Sequence, residues 1–376
     1  MRRRVPLVIG VPREIKTDEH RVAITPDGVH ELDNHGVTVV VESGAGTDSS
    51  ITDDDYRTSG AEIVADAATV WGRANVVLKV KEPQRSEFEF MRSDLTLFTY
   101  LHLAAYPDVA NALLDAGTTG IAYETVQLAS GALPLLAPMS EVAGRMAPQV
   151  GAHFLERRPG GRGILMGGAP GVRPARVVVL GAGNVGWNAA WIAQGMEAEV
   201  LLLDRNLDRL RWVDQIHRGR IMTLASNRAA VARAVADADL VIGAVLVPGG
   251  RAPQLVTETM IRTMKPRTVI IDCAIDQGGC IEGIRETTHS DPVYERFGVL
   301  HYAVGNVPGA VPNTSTYALT NATLPYAVEL ATRDLRRAVE ADPSLALGVN
   351  TLAGAVPNAS VAEALNREAV NLAELW

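Results

Sequence analysis

Val177-Val178-Val179-Leu180-Gly181-Ala182-Gly183-Asn184-Val185-Gly186 is the stretch on which the fold turns. Four apolar, mostly β-branched residues read as a buried strand. They run into three glycines spaced Gly-x-Gly-x-x-Gly, and a helix-compatible segment follows as far as Gln194. The spacing has a mechanical reason. The first glycine permits a tight turn, the second lets the backbone approach a pyrophosphate, and the third lets helix pack closely on strand. Free N–H groups and the positive end of the helix dipole then face the phosphates. Residues 200–203 read as the next strand, and Asp204 ends it. A carboxylate there accepts hydrogen bonds from ribose hydroxyls and repels a 2′-phosphate. The pattern predicts a Rossmann-type dinucleotide site that favours NAD over NADP, with Arg205 alongside as a group able to serve a phosphate.

The same grammar extends both ways. Upstream, residues 8–11, 37–41, 76–81, 96–100 and 120–123 read as strands. Residues 26–35, ending before Gly36, read as a helix, as do 61–73 and 108–116. Residues 140–157 carry Val142, Met146, Val150 and Phe154 at helical spacing, with Ser140 as the capping hydroxyl at the start. The Gly- and Pro-rich residues 158–174 read as turns. Downstream, 240–247 and 268–272 read as strands, the region near Asn306 as a loop, and 323–337 and 360–375 as helices. Strands alternating with helices imply βαβ units on mostly parallel sheets. The expected fold is α/β, with two Rossmann-like doubly wound domains and an interdomain active-site cleft. The substrate domain is expected at 1–135 plus 311–376, and the NAD-binding domain at 136–310.

Composition narrows the partners. The 376 residues are 47% hydrophobic and 21% charged, an ordinary globular balance. A net charge of −8 argues against nucleic acid. Two cysteines, Cys273 and Cys280, exclude a disulfide framework and fit a reducing cytosol. The basic start is broken by Pro12, Arg13, Glu14 and Lys16, which leaves no signal-peptide core, and no continuous apolar span follows. A cytoplasmic protein without membrane or nucleic-acid partners is expected. Glu329 is followed four residues later by Arg333 rather than His, so no metal site is predicted.

Hydride transfer from an alcohol or amine needs a proton acceptor, and histidine is suited to it near neutral pH. His35 and His217 sit beside polar residues, whereas His102 lies in Leu97-Phe98-Thr99-Tyr100-Leu101-His102-Leu103 at a strand's C-terminal end. Ligands of open α/β sheets bind beyond such ends. Alternation puts Lys79 and Lys81 on one face of a strand, either as carbonyl-binding cations or as solvated edge residues. Arg21, after Asp18-Glu19-His20, is either a bidentate clamp for a carboxylate or half of a surface ion pair. Asp276, in Asp272-Cys273-Ala274-Ile275-Asp276-Gln277-Gly278-Gly279, either orients a proton relay or belongs to a turn.

Several segments together resemble the alanine dehydrogenase family. They are Glu19-His20-Arg21-Val22-Ala23-Ile24-Thr25-Pro26, Leu78-Lys79-Val80-Lys81-Glu82-Pro83, Pro138-Met139-Ser140-Glu141-Val142-Ala143-Gly144-Arg145, Asp276-Gln277-Gly278-Gly279-Cys280 and Thr314-Ser315-Thr316-Tyr317-Ala318-Leu319-Thr320-Asn321-Ala322-Thr323. The resemblance runs from about Val8 to about Gly348. It implies NAD-dependent, reversible oxidative deamination of L-alanine to pyruvate and ammonia by a homo-oligomer, a hexamer in this family. It implies that Arg21 and Lys81 bind the substrate, that His102 is the acid/base and that Asp276 is its catalytic partner. Ser140, Gly181, Gly183, Asn184, Val185, Gly186, Asp204, Arg209, Ser226, Val245 and Leu246 would bind the cofactor. So would Cys273, Ala274, Ile275 and Asp276, and Val304, Gly305, Asn306 and Val307 near the nicotinamide. Competing readings are the NAD-binding component of a transhydrogenase, an opine- or saccharopine-type dehydrogenase, and a non-catalytic NAD sensor. The joint presence of Arg21, Lys81 and His102 argues against the first and the last.

Overall fold

The computed structural model describes residues 7–245 and 252–376. They divide into two compact units, one made of the chain up to Met139 together with Val311–Trp376, the other of Ser140–Ala310. The first unit opens with β1 (Val8–Val11), α1 (Pro26–Asn34), β2 (Thr38–Glu42), α2 (Asp53–Thr58), β3 (Glu62–Val64) and α3 (Ala67–Arg73). It continues with β4 (Val76–Leu78), β5 (Thr96–Thr99), α4 (Pro107–Ala116) and β6 (Thr119–Ala122). After α5 (Ala137–Leu155), the second unit runs through β7 (Arg176–Leu180), α6 (Asn184–Gly195), β8 (Glu199–Asp204), α7 (Leu207–His217) and β9 (Met222–Ala225). Then come α8 (Arg228–Ala236), β10 (Leu240–Gly243), α9 (Glu258–Ile261), β11 (Val269–Asp272), β12 (Val293–Arg296) and β13 (Val299–Tyr302). The chain returns to the first unit with α10 (Pro312–Thr332), α11 (Leu335–Ala341), α12 (Pro343–Gly348), β14 (Val349–Thr351) and α13 (Ala359–Ala364).

Both units use one plan. The first sheet has the order β14-β6-β5-β4-β1-β2-β3 and the second β12-β13-β11-β10-β7-β8-β9. Six strands of each run parallel, and the seventh, β14 or β12, closes one edge antiparallel. Strand order therefore reverses between β1 and β4 in one unit and between β7 and β10 in the other. Loops leaving two adjacent strands diverge at such a point, which opens a crevice at their C-terminal ends. Parallel strands covered on both faces carry apolar runs. Val177, Val178, Val179 and Leu180 are all fully buried. Trp71, Val77, Leu97 and Leu113 anchor the first core, and Val178, Leu180, Val241 and Ile270 the second. Each such side chain contributes about 1.5–3 kcal/mol by leaving water. Among the described residues, no helix is long and apolar enough to cross a membrane.

Several expected elements are corrected. Residues 61–73 are not one helix. Glu62–Val64 pairs with β2 as an edge strand, and Asp66 then caps α3 by accepting the Thr69 amide at 2.8 Å. Ser140 does not start its helix, because α5 begins at Ala137 with Pro138 in the first turn, where the missing N–H costs nothing. The strand expected at 76–81 ends at Leu78, and that expected at 240–247 ends at Gly243. The helix expected from Thr323 starts at Pro312 and stops at Thr332. Its polar first half tolerates burial because Thr320 donates its hydroxyl to the Thr316 carbonyl at 2.8 Å, which leaves that hydroxyl satisfied inside the helix. The C-terminal helix is only Ala359–Ala364, and Asn366 turns left-handed after it at φ 53°.

Candidate active site

In the first unit, the loops after β1, β4, β5 and β6 carry the charged groups. Arg21 is buried and its guanidinium lies against Glu19: Nε donates to Oε1 at 2.6 Å and Nη2 donates to Oε2. Nη1 points at the Met139 sulfur, 3.0 Å away. Arg21 is thus half of an ion pair with a local acid, but the pair is buried rather than on the surface. Burial opposes the charge on Glu19, but Arg21, with a smaller contribution from Lys81, overcomes it and draws the carboxyl down to about 2. A pocket of about 340 Å³ adjoins this pair, lined among others by Arg13, Lys16, His20 and Asp48.

The two lysines after β4 differ completely. Lys79 is not a solvated edge residue. It is fully buried, and its Nζ donates to Glu14 at 3.0 Å and to Glu87 at 2.9 Å. Burial disfavours its charge, yet the two carboxylates raise its pKa well above the ordinary value. Lys81 is half-buried, and its backbone amide donates to Glu14 Oε1 at 3.3 Å. The Val80 amide donates to the same oxygen.

His102 stands three residues beyond β5 in the left-handed region, φ 46°. A non-glycine residue there costs about 1 kcal/mol or more and needs support from its surroundings. Its amide donates to Glu124 Oε1 at 2.6 Å, and the preceding Leu101 amide donates to Oε2 at 3.3 Å. Its ring stacks on Tyr100, centroids 5.6 Å apart. Tyr100 is fixed in turn by donating to the Leu135 carbonyl at 2.6 Å. Desolvation raises the Glu124 carboxyl, against the pull of its amide donors and Lys81. His217, expected in polar surroundings, is instead buried and accepts the Trp187 indole N–H at 3.0 Å.

In the second unit, the turn after β7 has the properties its glycines imply. Gly181 has φ 104°, and a methyl group there would lie 2.6 Å from the Ala244 carbonyl and 3.1 Å from Val245. A methyl at Gly186 would lie 1.7 Å from the Gly181 carbonyl. At Gly183, by contrast, the nearest atom would be Arg209 Nη1 at 3.8 Å, so space is left over the start of α6. No side chain caps that helix end, and the first amides of α6, at Asn184, Val185 and Gly186, begin there. Gly144 packs α5 against the Val185 carbonyl, and Ser140 stands one turn earlier on the same helix face. Asp204 Oδ2 accepts the Ala182 amide at 2.6 Å, and Oδ1 accepts the Asn206 amide at 2.7 Å. The Ser226 amide donates to the Asp204 carbonyl at 2.9 Å, and Arg209 Nη1 is 4.0 Å from the carboxylate. This uncapped, glycine-floored turn beside a fixed carboxylate fits a dinucleotide. Leu246 lies outside the described residues.

The loop after β11 folds around Asp272, whose two oxygens accept the Ala274 and Cys280 amides at 2.9 and 2.8 Å. Cys273 is half-buried and Ala274 buried, and Asp276 is exposed on the short turn Ile275–Gln277. Burial, with Asp272 and Asp276 nearby, pushes the Cys273 thiol up to about 12. Gly305 leaves room for two acids: a methyl there would meet Glu286 at 2.2 Å and Asp276 at 3.1 Å. Val304 and Val307 are buried on either side, and Asn306 is left-handed at φ 57°. Glu14, Glu19, Glu124, Tyr100 and Glu286 were not singled out from the sequence. Glu124 had a usable signal, since it follows a strand end as His102 does.

The repeated strand order and the glycine turn define a doubly wound α/β protein. The family model described as alanine dehydrogenase/PNT, N-terminal domain, matches residues 10–143, and that for the C-terminal domain matches 147–359. An alanine dehydrogenase of Methanococcus maripaludis is 55% identical over 95% of this chain and 96% of its own. A solved L-alanine dehydrogenase superposes with a TM-score of 0.93 at 49% identity, covering 96% of this chain and 99% of that one. A transhydrogenase from Sinorhizobium meliloti superposes with a TM-score of 0.80 at 27% identity over 94% and 99% of the two chains. The chain belongs to the alanine dehydrogenase/PNT family.

Proposed function

We propose that this chain is an NAD-dependent L-alanine dehydrogenase, interconverting L-alanine with pyruvate and ammonia. The observation that carries the reading lies in the first unit. Arg21, Lys81 and His102 lie in the loops that follow β1, β4 and β5, linked through the charges of Glu19 and Glu124. A fork-shaped cation, a point cation and an imidazole are what a small amino acid and its oxo acid require. Arg21 holds the carboxylate and Lys81 the neighbouring oxygen, which removes orientational freedom before reaction. His102 accepts the proton when water adds to the imine carbon and returns one to the departing amine. Lys81 stabilises the oxygen charge that develops. NAD, when bound, supplies the hydride acceptor. Gly181, Gly183, Asn184, Val185 and Gly186 would cradle its pyrophosphate, and Asp204 its ribose. Ser140, Arg209, Ser226 and Val245, with Cys273–Asp276 and Val304–Val307, would line the remainder. The first unit is then the substrate domain and the second the nucleotide domain. A cytoplasmic homo-oligomer, hexameric as the family resemblance implies, is the assembly, and light scattering on the eluting protein tests it.

The test is NADH formation with L-alanine, and NADH consumption with pyruvate and ammonium, in the wild type and in His102→Ala. His102→Ala is expected to lose at least about a hundredfold in kcat while remaining folded. Wild-type activity only between two nucleotides would sink the reading in favour of transhydrogenation.

A further inference from the structure

Two carboxylates remote in sequence perform the same operation on the two residues assigned chemistry above. Glu14 receives the amides of Val80 and Lys81, and Glu124 receives those of Leu101 and His102. In each case the pair ends on the chemical residue itself. We propose that Glu124 and Glu14 are positioning residues that set the backbone of His102 and Lys81, and so the placement of imidazole and ammonium. The proposal rests on the assignment of those two residues under the proposed function.

The physical argument starts from the amides. Outside a helix's first turn, two consecutive N–H groups converge on one anion where the backbone leaves regular strand geometry. His102 departs in this way, with φ 46°. At Glu124 an acceptor-only carboxylate presents one oxygen to each amide, Oε2 to Leu101 and Oε1 to His102. The carboxylate and the left-handed turn therefore stabilise one another. Glu14 is anchored further, because its other oxygen holds the buried Lys79, which Glu87 also grips. Neither carboxylate needs to touch substrate to act, since the aim of a side chain follows from its own backbone.

Glu124→Gln tests this while keeping the side-chain volume. One oxygen becomes a donor facing an N–H, so one of the two bonds must fail. The expected result is a kcat for alanine oxidation reduced about ten- to a hundredfold, because small misplacement of a reacting group is costly. The KM for alanine, set by Arg21, should change less than about threefold, and the NAD dissociation constant should be unmoved. Amide hydrogen exchange in peptides spanning residues 100–106 should accelerate, and Glu124→Asp, which keeps both oxygens, should recover part of the rate. A folded Glu124→Gln with kcat within twofold of wild type and unchanged exchange would overturn the proposal. If that variant does not fold, exchange in the wild type decides: Leu101 and His102 amides must be protected, and loop-like rates there would overturn it. A wild type inactive with alanine would instead defeat the assignment of the chemistry, and the exchange result would stand by itself.

Discussion

Glu19 and Arg21, two positions apart in the chain, form a buried ion pair in which the carboxylate occupies one whole edge of the guanidinium. On the other side of the guanidinium, Nη1 lies 3.0 Å from the Met139 sulfur. Removing one partner of a buried pair strands the other charge and costs about 3–5 kcal/mol. Glu19→Gln is expected to lower stability by about 3 kcal/mol and to raise the KM for alanine. The pH dependence follows from the depressed carboxyl. Its folded value, about 2, lies below the ordinary 4.5. The pair thus adds stability above the ordinary value that drains away as pH falls toward about 2. Urea titrations across that range should show a flatter acid limb in Glu19→Gln than in wild type.

Gly186 and Gly183 should separate packing from ligand contact. Gly186→Ala drives a methyl into the Gly181 carbonyl, and no flexible side chain can yield there. A loss of about 1–3 kcal/mol is expected, together with weakened NAD binding. Gly183→Ala meets nothing closer than 3.8 Å within the protein. It should melt like wild type yet bind NAD at least about tenfold more weakly, because the second glycine admits the pyrophosphate. Calorimetry with and without NAD distinguishes the two.

Lys79 holds two buried carboxylates apart. Lys79→Met leaves Glu14 and Glu87 facing each other without a cation. The expected cost is about 3–5 kcal/mol, read as a drop in the urea midpoint. Reduced activity should accompany it, since Glu14 also carries the Lys81 amide.

His301 makes the second unit acid-sensitive. It is fully buried on β13, stacked on Tyr294, with Nδ1 3.0 Å from the Val299 carbonyl and no partner for Nε2. Burial lowers its pKa from 6.5 to about 4. The unfolded chain therefore binds the proton more readily, and stability falls as pH drops from the ordinary value toward about 4. His301→Phe should weaken that dependence, as thermal melts at a series of pH values would show.

The sequence made the second unit's centre readable because its chemistry is local. A strand, three spaced glycines and a following acid lie within one short stretch, and Gly186 answers to the Gly181 carbonyl five residues before it. The strand end that precedes His102 is legible for the same reason. The supporting carboxylates are not. Glu14 reaches Lys79 and Lys81 across 65 and 67 positions, and Glu124 reaches His102 across 22. Periodicity has no term for such distances. Glu62-Ile63-Val64 reads as part of a helix because a three-residue edge strand leaves almost no alternation to detect. The first half of α10 was hidden by threonines and asparagines that disfavour helix in isolation but are accommodated here by back-bonding and burial.

The return of the chain's last segment sets an order of assembly. Ser140–Ala310 is one uninterrupted stretch, whereas the other unit is completed only by residues from Val311 onward. β14 covers the outer edge of β6, and Thr316 takes the amide of Val22, the residue next to Arg21. On a ribosome the amino-terminal portion emerges first and finishes last. It must wait, one sheet margin bare, while the other unit matures ahead of it. A chain truncated after residue 310 would therefore keep the glycine turn and its sheet, yet never close the half that holds Arg21, Lys81 and His102.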